Sequence, residues 1–166
     1  MTLCPDNYLS AGGLVIIRSI AVNTLFMKTS TMTASSTPVD LNSVCVDVVD
    51  HGIVDLPWGR HPRISLFFET DLEDENGNPR ILSRSFNNYA YSKSALTGAI
   101  RNWLGIDLSG KDEDYDLKDC VGEQARLRTS ETVSGSGKTY QKIEEIRPAS
   151  AVCVQPSGNY RRKDEN

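Results

Sequence analysis

The chain has 166 residues, 39% of them hydrophobic and 24% charged, a balance that belongs to folded globular domains and leaves room for one core. Eighteen Lys and Arg against 22 Asp and Glu give a net charge of -4; this excludes nucleic-acid binding by bulk positive charge and leaves only a local basic face for it. Four Cys (Cys4, Cys45, Cys120, Cys153) with no C-x-x-C pair argue against a zinc ribbon, a thioredoxin-like motif and a disulfide-dense scaffold.

From the N-terminus, residues 11–27 (AGGLVIIRSIAVNTLFM) are the most apolar stretch, but Arg18 and Asn23 interrupt it, short of the roughly 18 apolar residues of a membrane span. Asp6, and no Lys or Arg, precedes it, so it does not read as a secretory signal. Residues 28–43 (KTSTMTASSTPVDLNS) are Ser- and Thr-rich with few apolar side chains. Residues 1–43 are therefore expected to be a poorly ordered extension. The native start is expected at Met27 or Met32, with residues 1–26 read from an upstream start; the alternative is that LVIIRSIAV packs on the domain as a short strand or helix.

Residues 44–149 carry the organised pattern. VCVDVV at 44–49 is β-branched and apolar, a first strand that Ile53 and Val54 continue after a bend at His51-Gly52. DLPWGRHPR, with two Pro and a Gly, reads as a loop. RISLFFET at 63–70 alternates, with Ile64, Leu66 and Phe68 on one face and Arg63, Ser65, Phe67 and Glu69 on the other. DLEDENGNP holds Asn76-Gly77, a hairpin signal, before a third strand RILSRSF at 80–86.

A single helix follows. Ser92 or Ser94 is the N-cap, and Leu96, Ile100, Trp103 and Leu104 make one apolar stripe. Gly105 stands at the left-handed C-cap position. The acidic segment 107–119 has Tyr115 and Leu117 as anchors, 121–133 reads as a fourth strand, and SGSGK is a turn before a fifth strand at 139–146. In that last strand, alternation puts Ile146 with Tyr140, Lys142 and Glu144, and Ile143 on the opposite face. Residues 150–166 are polar and are expected to be a flexible tail. Strand, strand, strand, helix, strand, strand is the connectivity of the OB-fold, a small Greek-key barrel. The expected fold is thus mainly β, a five-stranded OB-fold-like barrel at 44–149, its open end plugged by the helix between strands three and four.

No motif demands an enzyme. GSGKT would need a Gly at Thr132 to be a phosphate-binding loop, and a strand rather than a helix follows it. DLEDENGNPRI lacks the carboxylate that closes a Ca²⁺ loop. His51 and His61 read as turn or surface residues, and no catalytic residue, metal or cofactor is expected. Charge placement says more. Residues 44–149 hold 13 bases and 18 acids, and ten of those acids fall in 71–75 and 107–119. The strand body is thereby mildly basic. Arg80 and Arg84 share one face of the third strand, Arg126 and Arg128 one face of the fourth, and Phe67, Trp58 and Phe86 are interleaved with Arg63 and these pairs. Cations for phosphates and rings for bases are how OB-folds hold single strands. The expected nucleic-acid-binding set is Trp58, Arg63, Phe67, Arg80, Arg84, Phe86, Arg126 and Arg128.

The runs VDVVDHGIVDLPWGRHPRISLFFET, KSALTGAIRNWLGI, DLKDCVGEQARLRT and GKTYQKIEEIRP resemble a family of small bacteriophage proteins. Its marks are a Pro-Trp-Gly loop, a K-S-x-L helix ending in Trp-x-Gly, and a closing Gly-Lys-x-Tyr strand. The resemblance covers about residues 44–148 and implies an OB-fold single-stranded-DNA-binding protein of a replication or recombination module, acting in the host bacterial cytoplasm. Its partners would be single-stranded DNA, phage or host replication and recombination proteins, and copies of itself. Leu104 stands where members carry a base after the helical Trp, and RRKDEN replaces the acidic, apolar-tipped tail of bacterial single-strand-binding proteins. A second function class fits the acidic loops: an OB-like protein-interaction module, adaptor or inhibitor, without nucleic-acid binding.

Overall fold

A computed structural model describes residues 37–110, 112 and 114–162. The expectations for the start of the chain and for LVIIRSIAV lie outside the described residues. Five strands, β1 (Val39–Leu56), β2 (Gly59–Glu73), β3 (Pro79–Asn87), β4 (Gln124–Val133) and β5 (Thr139–Pro148), form one antiparallel sheet in the order β3-β2-β1-β4-β5. One α-helix, α1 (Ala95–Leu104), separates β3 from β4, and a short 3-10 turn covers Leu117–Cys120.

β1 organises the sheet. Its first residues pair with β4 (Val39 opposite Thr129, Leu41 opposite Leu127) and the remainder with β2 (Asp47 opposite Phe67, Leu56 opposite Gly59). The strand begins at Val39, so residues 39–43 belong to the fold rather than to a disordered lead-in. Leu41 decides this: it is buried on the core face, next to a fully buried Ser43 whose hydroxyl donates to the Ala125 carbonyl. Register shifts at Cys45/Asp47 and Asp50/Gly52 bend β1 and curl the sheet around its core.

The core face collects Leu66, Phe68, Leu82, Phe86, Leu127, Ile143 and Ile146. Ile143 and Ile146 lie three apart, and both are buried because Glu144 is an extra, bulged residue between the Arg128–Glu145 and Thr129–Ile143 pairs. Strict alternation put them on opposite faces; the bulge shifts the period by one. α1 caps this core as its sequence predicts. Ser94 accepts from the Thr97 N–H at 3.0 Å, Gly105 sits at φ 74° and donates to the Arg101 carbonyl, and Leu96, Ile100 and Trp103 are buried. The Trp103 ring meets Phe68 edge-on with centroids 5.5 Å apart, and its Nε1 donates to the Gln124 carbonyl at 2.7 Å.

The ladder does not close into a barrel. β3 and β5 are the two edges, both in contact with α1. Arg84 of β3 spans the gap, its Nη1 donating to the carbonyl of the bulged Glu144 at 2.7 Å. Gly98 faces solvent in mid-helix, and a methyl group there would meet nothing within 4 Å. Gly98→Ala is therefore expected to stabilise the protein by up to about 1 kcal/mol. A rise in the urea midpoint checks this, and a fall would mean that something packs on the helix at that point.

Candidate nucleic-acid interface

The segment expected to be a loop around Trp58 is the end of a hairpin. Only Pro57 and Trp58 lie outside the β1–β2 ladder, because Leu56 pairs with Gly59. Pro57 fits the first turn position, and Gly59, at φ 127°, takes a backbone angle that disfavours other residues. Trp58 is 70% exposed at this tip, near the Arg60–Asp55 ion pair at 3.0 Å, and Ile53, also exposed, lies opposite Pro62 three pairs down the hairpin.

Further along β2, alternation sends His61, Arg63, Ser65 and Phe67 outward, since Ile64, Leu66 and Phe68 are buried. The outward residues meet the chain leaving β3. Arg63 Nη1 donates to Asn87 Oδ1 at 3.0 Å, and the Asn88 N–H donates to the Pro62 carbonyl at 2.8 Å. These bonds seat 87–91 beside the hairpin. His61 Nδ1 lies 3.0 Å from the Tyr89 hydroxyl with the rings edge-to-face, and Tyr89 continues to Tyr91 at 6.0 Å. Tyr91 is 56% exposed, and Lys93 is also exposed. One end of the sheet thus carries Trp58, His61, Tyr89 and Tyr91 with Arg60, Arg63 and Lys93. His61, Tyr89 and Tyr91 are not in the set expected from the sequence. The signal was two Tyr in three residues beside a Lys, but their approach to the hairpin depends on β2–β3 pairing.

The centre of the outer face is covered by the chain after β5. Residues 150–162 are anchored, not a free tail. Gln124 and the Val154 backbone exchange two hydrogen bonds of 2.9 Å, and the Ser150 hydroxyl donates to Asn42 at 2.6 Å. Glu69 is only 1% exposed on β2 and accepts from the Ser157 N–H at 2.7 Å and its hydroxyl at 2.8 Å. Tyr160 lies against Phe67 with centroids 5.8 Å apart. Arg162 forks onto Asp47, Nε donating at 2.6 Å and Nη2 to the other oxygen. The Arg162 guanidinium holds the buried Asp47 carboxyl below its usual range. The composition of 150–166 looked like that of a mobile tail, yet its polar groups are the partners that two buried carboxylates require.

The other expected site residues separate. Phe67 does face outward but is half-buried beneath Tyr160. Phe86 is 3% exposed and belongs to the core, because it shares the inward side of β3 with Leu82. Arg80 and Arg84 share that same side. Arg80 is exposed at the start of β3, while Arg84 lies over the Phe86 ring at 5.0 Å, where burial pushes its pKa down. Arg84 is a strut of the fold. Arg126 pairs with Asp40 at 3.0 Å, and Arg128 stands in register between Asp40 and Glu145. Arg126 lies opposite Asn42, five residues before the Asp47–Phe67 pair. With one of those residues in a bulge, that is about 13 Å along the strand. Arg126 and Arg128 are thus not brought to the aromatic end. Of the expected set, only Trp58 and Arg63 stand together there.

Among the described residues, no group of three His, Cys, Asp or Glu could hold a metal ion, and no helix is long and apolar enough to cross a membrane. Burial pushes the Cys45 thiol up to about 12 and the Cys120 thiol up to about 11, so both stay protonated near neutral pH. No family model, curated protein or solved structure matches this chain.

Proposed function

We propose that this protein binds single-stranded DNA without sequence specificity and performs no chemistry of its own. In this reading the sheet is an OB-fold variant, whose β3–β5 seam is bridged by Arg84 and capped by α1 instead of closed by a ladder. The protein would coat displaced strands during phage replication or recombination in the host cytoplasm. The observation that carries the reading is the series of rings at the β1–β2 hairpin end, exposed Trp58 and Tyr91 with half-buried His61 and Tyr89, flanked by Arg60, Arg63 and Lys93. Rings stack on any base and cations follow the phosphates, which is the pairing that single-strand binders use.

Fluorescence anisotropy with labelled dT oligomers tests it. Trp58→Ala and Tyr91→Ala are each expected to lose about 1–3 kcal/mol of binding with little change in melting temperature, because both rings are exposed. The oligomer should quench Trp58 emission in a Trp103→Phe background. With three cations engaged, the slope of log K against log salt should be about −2, at about −0.7 per phosphate. The protein-interaction reading draws on Ile53 and Trp58, two exposed apolar side chains on the same hairpin. It predicts no quenching and no binding at low salt, and either result would overturn the DNA proposal.

A further inference from the structure

The segment 157–162 lies on the outer face of β1 and β2 and changes the charge of that face. Without it, Asp47 and Glu69 would stand there as bare carboxylates, and a phosphodiester strand would be repelled. With it, Arg162 neutralises Asp47, two Ser157 donors hold Glu69, and Arg161 adds a cation. Gly158, at φ 72°, makes the turn that allows this, and the Asn159 N–H donates to Ser157 Oγ within it. Arg161 is exposed, and its Nη1 donates to the Gly158 and Tyr160 carbonyls, which sets its direction.

Between this segment and the sheet lies a cleft of about 720 Å³, lined by Phe67, Ser83, Asn78, Tyr160 and Arg161 among others. That volume falls in the range of small-ligand sites. Its walls combine two rings, amide and hydroxyl groups and the guanidinium of Arg161, groups that suit a nucleotide, with two carboxylates, Glu69 held by Ser157 and the exposed Asp74 at the rim. Phe67 lies nine residues along β2 from Trp58, about 30 Å in an extended strand. One single strand of several nucleotides would reach from the hairpin end to the cleft.

We propose that residues 157–162 are a built-in part of the DNA surface: they cover the two carboxylates and complete a cleft that takes one nucleotide of the bound strand, its base against the Phe67–Tyr160 wall and its phosphate at Arg161. This rests on the single-strand-binding reading above. It assigns the C-terminal segment to the binding surface and not to a cover that DNA must displace.

The test uses the full chain and a labelled twelve-residue dT oligomer. Arg161→Ala is expected to weaken binding about fivefold and to flatten the salt slope by about 0.7, the share of one phosphate. Arg161→Lys, which keeps the charge, should restore the slope. The melting temperature should not move, since Arg161 is exposed and bonds only to its own segment. Asp47→Asn tests the covering role, because loss of the Arg162 fork should weaken DNA binding even though a negative charge has been removed. Binding by the wild type that depends on Trp58 but is unchanged or tightened by Arg161→Ala would overturn this inference alone. No binding by the wild type at low salt would overturn the single-strand reading and this inference with it.

Discussion

Trp103→Ala is expected to lower stability by about 3–5 kcal/mol. The ring is 4% exposed, stands edge-on to Phe68 and lies between α1 and the sheet. Truncation opens a cavity at that junction and also leaves the Gln124 carbonyl without its 2.7 Å donor. A part-buried acceptor stripped of its partner adds at most about 1–3 kcal/mol of desolvation cost, already part of the range quoted for large core truncations. Against a total of about 5–15 kcal/mol for an ordinary domain, this variant would stand near the edge of folding. Urea denaturation followed by circular dichroism measures the loss. A value below about 1 kcal/mol would show that α1 is not seated on the core through this residue.

Phe86→Ala is expected to cost a similar amount, about 3–5 kcal/mol, and this separates core from binding surface. Phe86 is 3% exposed and supports the Arg84 guanidinium 5.0 Å above its centroid. Losing the ring also loosens the strut from Arg84 to the Glu144 carbonyl that spans the two sheet edges. The affinity of the folded fraction for dT oligomers should be unchanged. Trp58→Ala should show the reverse pattern, unchanged stability with lost affinity, since its ring is in solvent. If Phe86→Ala kept its stability and lost DNA binding, the ring would have to face outward and the faces of β3 would be reversed.

These two residues also show what could be read before the fold was known. Trp103 was legible because helical spacing is local: Leu96, Ile100 and Trp103 fall on one side whatever the helix packs against, and Ser94 and Gly105 mark its ends. Phe86 was not. Its position in an alternating strand says only that it shares a side with Leu82 and Arg84. Two arginines share that side, and the expected binding set counts Phe86 with them. The inner side tolerates Arg84 because β3 is an edge strand, so a long side chain can reach round to a carbonyl on β5.

By itself, the sequence determined the local periodicities: the centres of the five strands, which residues of β2 face the core, where the one helix begins and ends, and the turns at Asn76-Gly77 and at residues 134–138. Each of these follows from side-chain alternation, capping or backbone preference within a few residues. Only the tertiary structure decided what depends on contacts across the chain. It drew residues 39–43 into β1, because Leu41 finds Leu127 on β4. It placed a bulge at Glu144 that turns both Ile143 and Ile146 inward. It laid residues 157–162 on carboxylates more than 80 positions earlier, Glu69 and Asp47. A polar residue in a sequence shows what it can bond to but not whether a partner will be buried beside it. For that reason the core helix was legible, and the composition of the outer face was not.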